Sequence, residues 1–308
     1  MWKNMYTFEQ LLKRTMVERE SFIKKSIDFQ FDRMPFHHYE EIHLDLINEG
    51  KTRILFYKPE TKTNEPFPVY ITMHGGGFIM GGADLDDPFS RQIATKVGCA
   101  VINIDYKLSP EYKFPVAIEE CYAVTKWVND NAESLGINPS KIAVGGYSAG
   151  GNIAAVLCLL AQERREFSIH SLVIDCGAMT FADYQPFQGF GDNLHLKDMD
   201  RPSFFAACYV NEWEEVTNPF VSPLLSRSFA GHPPTLVISA ELDTWRKGYD
   251  AYAEKLKAVN IKVDYHMFRD CHHCFTVWPD MGPDDASKKG WEVIFSYLTK
   301  QFRKEGRE

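Results

Sequence analysis

A serine hydroxyl becomes a nucleophile when a base takes its proton and an acid holds that base in the right tautomer. This chain carries all three group types. Ser148 lies in Gly145-Gly146-Tyr147-Ser148-Ala149-Gly150-Gly151-Asn152, the pattern Gly-x-Ser-x-Gly. Glycines two positions to either side remove side chains that would collide across a sharp turn, so the hydroxyl can stand clear of the backbone. The chemistry this suits is attack on a carbonyl carbon. Two adjacent histidines, His272 and His273, compete for the role of base within Arg269-Asp270-Cys271-His272-His273-Cys274-Phe275. Neighbouring side chains of an extended loop point in different directions, so only one can face Ser148. The acid is to be found among Asp243 and Glu241, in Ala240-Glu241-Leu242-Asp243, and Asp175. Position after a strand does not separate Asp243 from Glu241.

A carbonyl under attack also needs its developing oxyanion held. His74-Gly75-Gly76-Gly77-Phe78 supplies three consecutive glycines whose backbone can approach a ligand and aim N–H groups at one spot. The alternative reading is a flexible turn. The Ala149 amide, at the start of a predicted helix, adds a donor where unpaired N–H groups and the macrodipole favour an anion. The run Cys271-His272-His273-Cys274 also invites a zinc reading. Structural zinc takes about four ligands with backbone room between them, and four adjacent residues converge poorly on one ion. We expect no metal and no cofactor.

The elements that must position these groups are legible as apolar runs. Lys141-Ile142-Ala143-Val144 reads as a buried strand before Ser148, and 153–161 as a buried helix after it. Upstream, Ile42, Leu44 and Leu46 alternate with polar residues as in a half-buried strand. Gly50 turns the chain, and 52–57 returns as its hairpin partner. Strands are predicted at 68–73, 99–104, 171–175, 235–239 and 262–268, with helices at 89–97, 116–131, 247–258 and 287–302. Such alternation argues for a largely parallel sheet covered on both faces. Phe8, Leu11, Leu12, Phe22 and Ile23 fall at near-helical spacings, giving one or two amphipathic N-terminal helices that pad the core or belong to a lid. The stretch 178–230 breaks the rhythm. It is rich in proline and in aromatics (Phe181, Tyr184, Phe187, Phe190, Phe204, Phe205, Tyr209, Trp213, Phe220), too apolar for a disordered linker, and reads as a helical cap with its aromatic side toward the site.

With 308 residues the chain can bury a large core as one catalytic domain plus an insertion. A net charge of −8 leaves no basic footprint, which argues against nucleic acid as a partner. Charges interrupt every apolar run of residues 1–31, against a secretory signal, and no segment approaches the length of a membrane span. Seven cysteines, an odd number spread through predicted elements, fit reduced thiols of a cytoplasmic protein.

Several motifs in order resemble one known family. They are His74-Gly75-Gly76-Gly77-Phe78, Asp105-Tyr106-Lys107-Leu108-Ser109-Pro110-Glu111, Gly146-Tyr147-Ser148-Ala149-Gly150-Gly151-Asn152, Ser222-Pro223-Leu224-Leu225, Ala240-Glu241-Leu242-Asp243, and His273 followed by Cys274-Phe275. From about Pro68 onward the chain resembles the hormone-sensitive lipase-like branch of the α/β-hydrolases, which are carboxylesterases. The resemblance implies an α/β-hydrolase fold with a helical cap: residues 1–38 and 178–230 as cap, 39–177 and 231–308 as catalytic domain. It implies Ser148 as nucleophile, Asp243 as acid and His273 as base, with Gly75, Gly76 and Ala149 as oxyanion donors. Phe78, Tyr147 and cap aromatics such as Trp213 are expected to line an apolar pocket for a small-molecule ester of short to medium acyl length. A homodimer through an edge strand is common in such a family. Rival readings are an amide- or formamide-cleaving hydrolase using the same groups, and a binding protein on the same fold. Three departures stand out: Tyr147 where aspartate is frequent, Cys274 in place of glycine after the histidine, and Thr244-Trp245-Arg246-Lys247 after the acid.

Overall fold

The structure, a computed structural model, describes residues 7–28, 39–59, 65–183 and 200–303. Its frame is an eight-stranded sheet in the order β1-β2-β4-β3-β5-β6-β7-β8. The strands are β1 (Tyr39–Leu44), β2 (Thr52–Tyr57), β3 (Phe67–Met73), β4 (Ala100–Asp105), β5 (Ile137–Tyr147), β6 (Ser171–Asp175), β7 (Thr235–Ala240) and β8 (Val263–Phe268). β2 runs antiparallel to β1 and β4, and all other pairings are parallel. Parallel strands are covered on both faces, which is why β6 and β7 are buried throughout and have apolar centres, Leu172-Val173-Ile174 and Leu236-Val237-Ile238. The sheet's edges are β1, which is mostly exposed, and β8, which is half-buried.

Helices cover the sheet: α2 (Asp87–Val97), α3 (Val116–Asp130), the single turn α4 (Ala132–Leu135), α5 (Ala149–Arg164), α7 (Arg246–Ala258) and α8 (Ala286–Arg303). α2 ends where Gly98 takes the left-handed conformation at φ 71°. α5 is buried from Ala149 through Ala161, as a helix apolar on all sides must be. Asn152, in its first turn, donates to the carbonyls of Ala178 and Val221 and ties this helix to the segment after β6.

The N-terminal segment forms one helix, α1 (Phe8–Asp28), whose buried side includes the expected Leu11 and Phe22 but not Phe8 and Ile23. Leu11 and Thr15 are buried, whereas Phe8 and Ile23 are about half exposed. Arg19 is one of the residues that tie the helix to the catalytic motifs. Its guanidinium donates to the carbonyls of Ile79 and Ser109 and grips Glu111 with two bonds of 2.7 and 2.8 Å, a bidentate geometry that fixes orientation. In the stretch after β6 the structure describes α6 (Arg201–Tyr209) and short 3-10 turns at Trp213–Thr217 and Pro223–Leu225. Phe181, Phe204 and Tyr209 sit in the core rather than facing outward as a lining. Tyr184, Phe187 and Phe190 lie outside the described residues.

Candidate active site

Ser148 joins β5 to α5 at φ 53°, ψ −118°, a conformation side chains rarely adopt and one that the surroundings must enforce. Three backbone bonds do so: Ser148 N to the Asp175 carbonyl, and the amides of Asn152 and Ala178 to the Ser148 carbonyl. The flanking glycines are required by space. A Cβ on Gly146 would lie 2.2 Å, and one on Gly150 1.9 Å, from the carbonyl oxygen of Met73 at the end of β3.

His273, on the loop after β8, places Nε2 2.8 Å from Ser148 Oγ and Nδ1 2.7 Å from Asp243 Oδ2. An ionised carboxylate only accepts, so Nδ1 carries the proton and Nε2 is free to take the one on serine. Asp243 is itself fixed: its Oδ2 also accepts from Tyr249, and its Oδ1 from the Trp245 amide. The ambiguity between acids disappears, because Glu241 instead accepts from the Asp270 amide at the surface. So does the one between bases. His272 is exposed, and its amide is bonded to the Met281 carbonyl. Burial works against an imidazolium at His273. The neighbouring Cys274 and the Asp243 carboxylate outweigh it and hold the histidine well above its ordinary value; burial keeps the Cys274 thiol protonated, so the Asp243 carboxylate is the charge that acts on the ring.

The triglycine loop follows β3. Gly76 sits at φ 119° and Gly77 at φ 59°, and a Cβ on Gly76 would meet the Met80 carbonyl oxygen at 2.1 Å. Beneath the loop, the His74 ring stacks on Tyr106 at 4.1 Å, and the Tyr106 hydroxyl donates to the His74 carbonyl. Asp105 and Ser109 of the same motif bond the Ala83 amide and the Phe78 carbonyl. The motif from Asp105 to Glu111 is thus a platform for the glycine loop, extended to α1 through Arg19. Ala149 opens α5, where a first-turn amide has no helical acceptor.

A profile of the α/β-hydrolase fold family matches residues 70–277. The chain belongs to that family, in its hormone-sensitive lipase-like branch. This hydrolase is 34% identical over 208 residues to an arylesterase of Saccharolobus solfataricus, covering 66% of each chain. It is 35% identical over 217 residues to carboxylesterase NlhH of Mycobacterium tuberculosis, covering 68% of this chain and 66% of that one. The matched segment thus spans about two thirds of these relatives' length. Carboxylic ester hydrolase LipN of the same species is 30% identical over 260 residues, with 80% and 68% covered. Among solved structures, a thermostable carboxylesterase from a metagenomic library superposes with a TM-score of 0.80 at 27% identity, covering 96% of this chain and 98% of that one.

Around Ser148 the hydrolase opens a cleft of about 310 Å³. Phe22 of α1, Met80, Tyr147, Phe205, Trp245, Trp278 and Met281 form its apolar walls, with Lys25 and Arg201 also in the lining. Tyr147 lines it as expected, and Phe205 is the aromatic that α6 contributes. Two expected lining residues do not reach it. Phe78 turns away at φ 64° and is fully buried, stacked 3.8 Å from the Tyr209 ring, and Trp213 packs against the core at its 3-10 turn. Of the glycines, Gly76 and Gly77 face the cleft. Gly75 does not: a Cβ there would lie 2.4 Å from the Tyr147 ring, which covers it.

Sequence reasoning missed Phe22, Trp245 and Trp278 as cleft walls, since no local pattern marks them. It also missed Asp86. This carboxylate is buried, accepts a 3.0 Å bond from the Tyr147 hydroxyl, and is pushed up to about 7 by burial. Among the described residues no three His, Cys, Asp or Glu side chains gather as a metal site, and no helix is long and apolar enough to cross a membrane.

Proposed function

We propose that this protein is a serine carboxylesterase acting through an acyl-enzyme, with Ser148, His273 and Asp243 as its triad. The continuous contact from Ser148 Oγ through the imidazole to Asp243, at 2.8 and 2.7 Å, carries this reading. Ser148 Oγ bonds to the ester carbonyl carbon while its proton passes to His273 Nε2. The carbonyl oxygen becomes an oxyanion facing the amides of Gly76, Gly77 and Ala149, and loss of one such donor costs about 2.7–4 kcal/mol of transition-state stabilisation. Collapse breaks the ester C–O bond, the alcohol leaves with the proton from His273, and water repeats the sequence to release the acid. An intact base also speaks for catalysis over a binding role for the fold.

The cleft volume lies at the small end of ligand sites, and its apolar walls suit short- to medium-chain acyl groups. α1 and the stretch around α6, which supply Phe22 and Phe205, act as the cap. Seven free, buried cysteines support a reducing, cytoplasmic setting, and the half-buried edge strand β8 offers a surface for a homodimer. The direct test is turnover of a short p-nitrophenyl ester by Ser148→Ala. Activity should vanish; retention would remove Ser148 as nucleophile, and a preference for long acyl chains would overturn the substrate class.

A further inference from the structure

Asp175 is the buried acid that the proposed triad leaves unused. It ends β6 opposite Tyr147, and its carbonyl accepts the Ser148 amide at 3.0 Å. Its carboxylate reaches the other half of the site. Oδ2 accepts from Thr276 Oγ1 at 2.5 Å, three residues beyond His273 on the same loop. Thr276 is wholly buried, and its carbonyl is held from α8 by Ser287 Oγ at 2.6 Å and Trp291 Nε1 at 3.0 Å. The other carboxylate oxygen, Oδ1, is buried with no partner among the described residues.

An acid in this place is costly, because a buried carboxylate oxygen without a partner forfeits its hydration. An apolar residue would fill the space without that loss, and what the carboxylate adds is the bond to Thr276. One residue thereby joins the strand that carries the nucleophile to the loop that carries the base. We propose that Asp175 is a positioning residue for ester hydrolysis, clamping the His273 loop to the Ser148 turn through Thr276. The proposal rests on the triad reading above. Misplacement of reacting groups by about 1 Å can cost on the order of 100-fold in rate, and a clamp acts on that separation.

The test compares Thr276→Val, Thr276→Ser and Asp175→Ala with the parent enzyme. Active sites are counted by labelling with a fluorophosphonate taken to completion, so that rates refer to folded, competent protein. Thr276→Val keeps the side-chain shape without the donor. It should lower kcat per labelled site about 10- to 100-fold with KM within about two-fold. Asp175→Ala should do the same, and Thr276→Ser, which restores the hydroxyl, should recover most of the rate. A parental kcat in Thr276→Val, or a Thr276→Ser enzyme no better than Thr276→Val, would overturn the clamp. Ser148→Ala run alongside separates the two failures: turnover or labelling there defeats the triad, while an inert Ser148→Ala with a fully active Thr276→Val defeats only the role of Asp175.

Discussion

Replacing Asp86 by asparagine should make the protein's stability less sensitive to pH, by an amount that follows from the burial of this carboxylate. Asp86 is 4% exposed, and burial raises it from an ordinary value of 3.8 to about 7, with the Tyr147 hydroxyl pulling partly back. Below the ordinary value both folded and unfolded chains hold the proton, and the native state keeps its full stability. As pH rises past that point the unfolded chain ionises while the native chain does not, so stability is lost steadily until about pH 7 and is flat beyond it. Each unit is worth 1.36 kcal/mol, and the two units between pH 5 and the native value give about 2.7 kcal/mol.

Asparagine keeps an acceptor for Tyr147 and has nothing to titrate. Between pH 5 and 8 the Asp86→Asn protein should therefore gain about 2.7 kcal/mol on the parent. Urea unfolding at fixed ionic strength, read by linear extrapolation at each pH, measures the difference directly. Asp175, raised to about 6 by burial, titrates in both proteins and cancels in the comparison. A difference between the two proteins that stays constant from pH 5 to 8 would show that Asp86 is not held protonated, and the reasoning would fail.

Other consequences are quicker to state. Asp243→Asn should lower kcat by about 10⁴-fold with the fold intact by circular dichroism, because an amide cannot enforce the Nδ1–H tautomer of His273. The acid limb of kcat/KM should have its midpoint above pH 6.5: His273 must be neutral to act as base, and the Asp243 contact holds its proton on. Gly150→Ala should cost more than about 4 kcal/mol or prevent soluble expression, since its Cβ would overlap the Met73 carbonyl at 1.9 Å.

The fold was legible wherever burial was continuous along the chain. β6 has the apolar centre Leu172-Val173-Ile174 and α5 the apolar run from Ile153 to Ala161, so both could be read without knowing their neighbours. The hydrolytic motifs were legible for a different reason: Gly146 and Gly150 are fixed by backbone contacts that leave no room for a side chain. What could not be read is what depends on rotation and long-range contact. The buried face of α1 depends on partners far away in sequence, among them Glu111, which Arg19 grips from 92 positions away, and Cys208, beside Thr15; Phe22 of the same helix lines the cleft. Phe78 follows the glycines in sequence, and a left-handed backbone angle sends its ring into the core instead of the cleft.

Tyr147 shows how a departure from family pattern can be absorbed by a distant residue. At this position, immediately before the nucleophile, a phenol ring cannot simply replace a carboxylate, because its hydroxyl reaches farther and its body needs cover. The structure meets both demands. The ring lies over Gly75, where only the missing Cβ makes room, and the hydroxyl finds Asp86 below α2. The carboxylate that meets this hydroxyl stands at the N-terminus of α2, where its burial drives it toward the neutral form. All three glycines are thus required by space, each against a different neighbour: Gly75 against the Tyr147 ring, Gly76 against the Met80 carbonyl and Gly77 against the Phe205 ring.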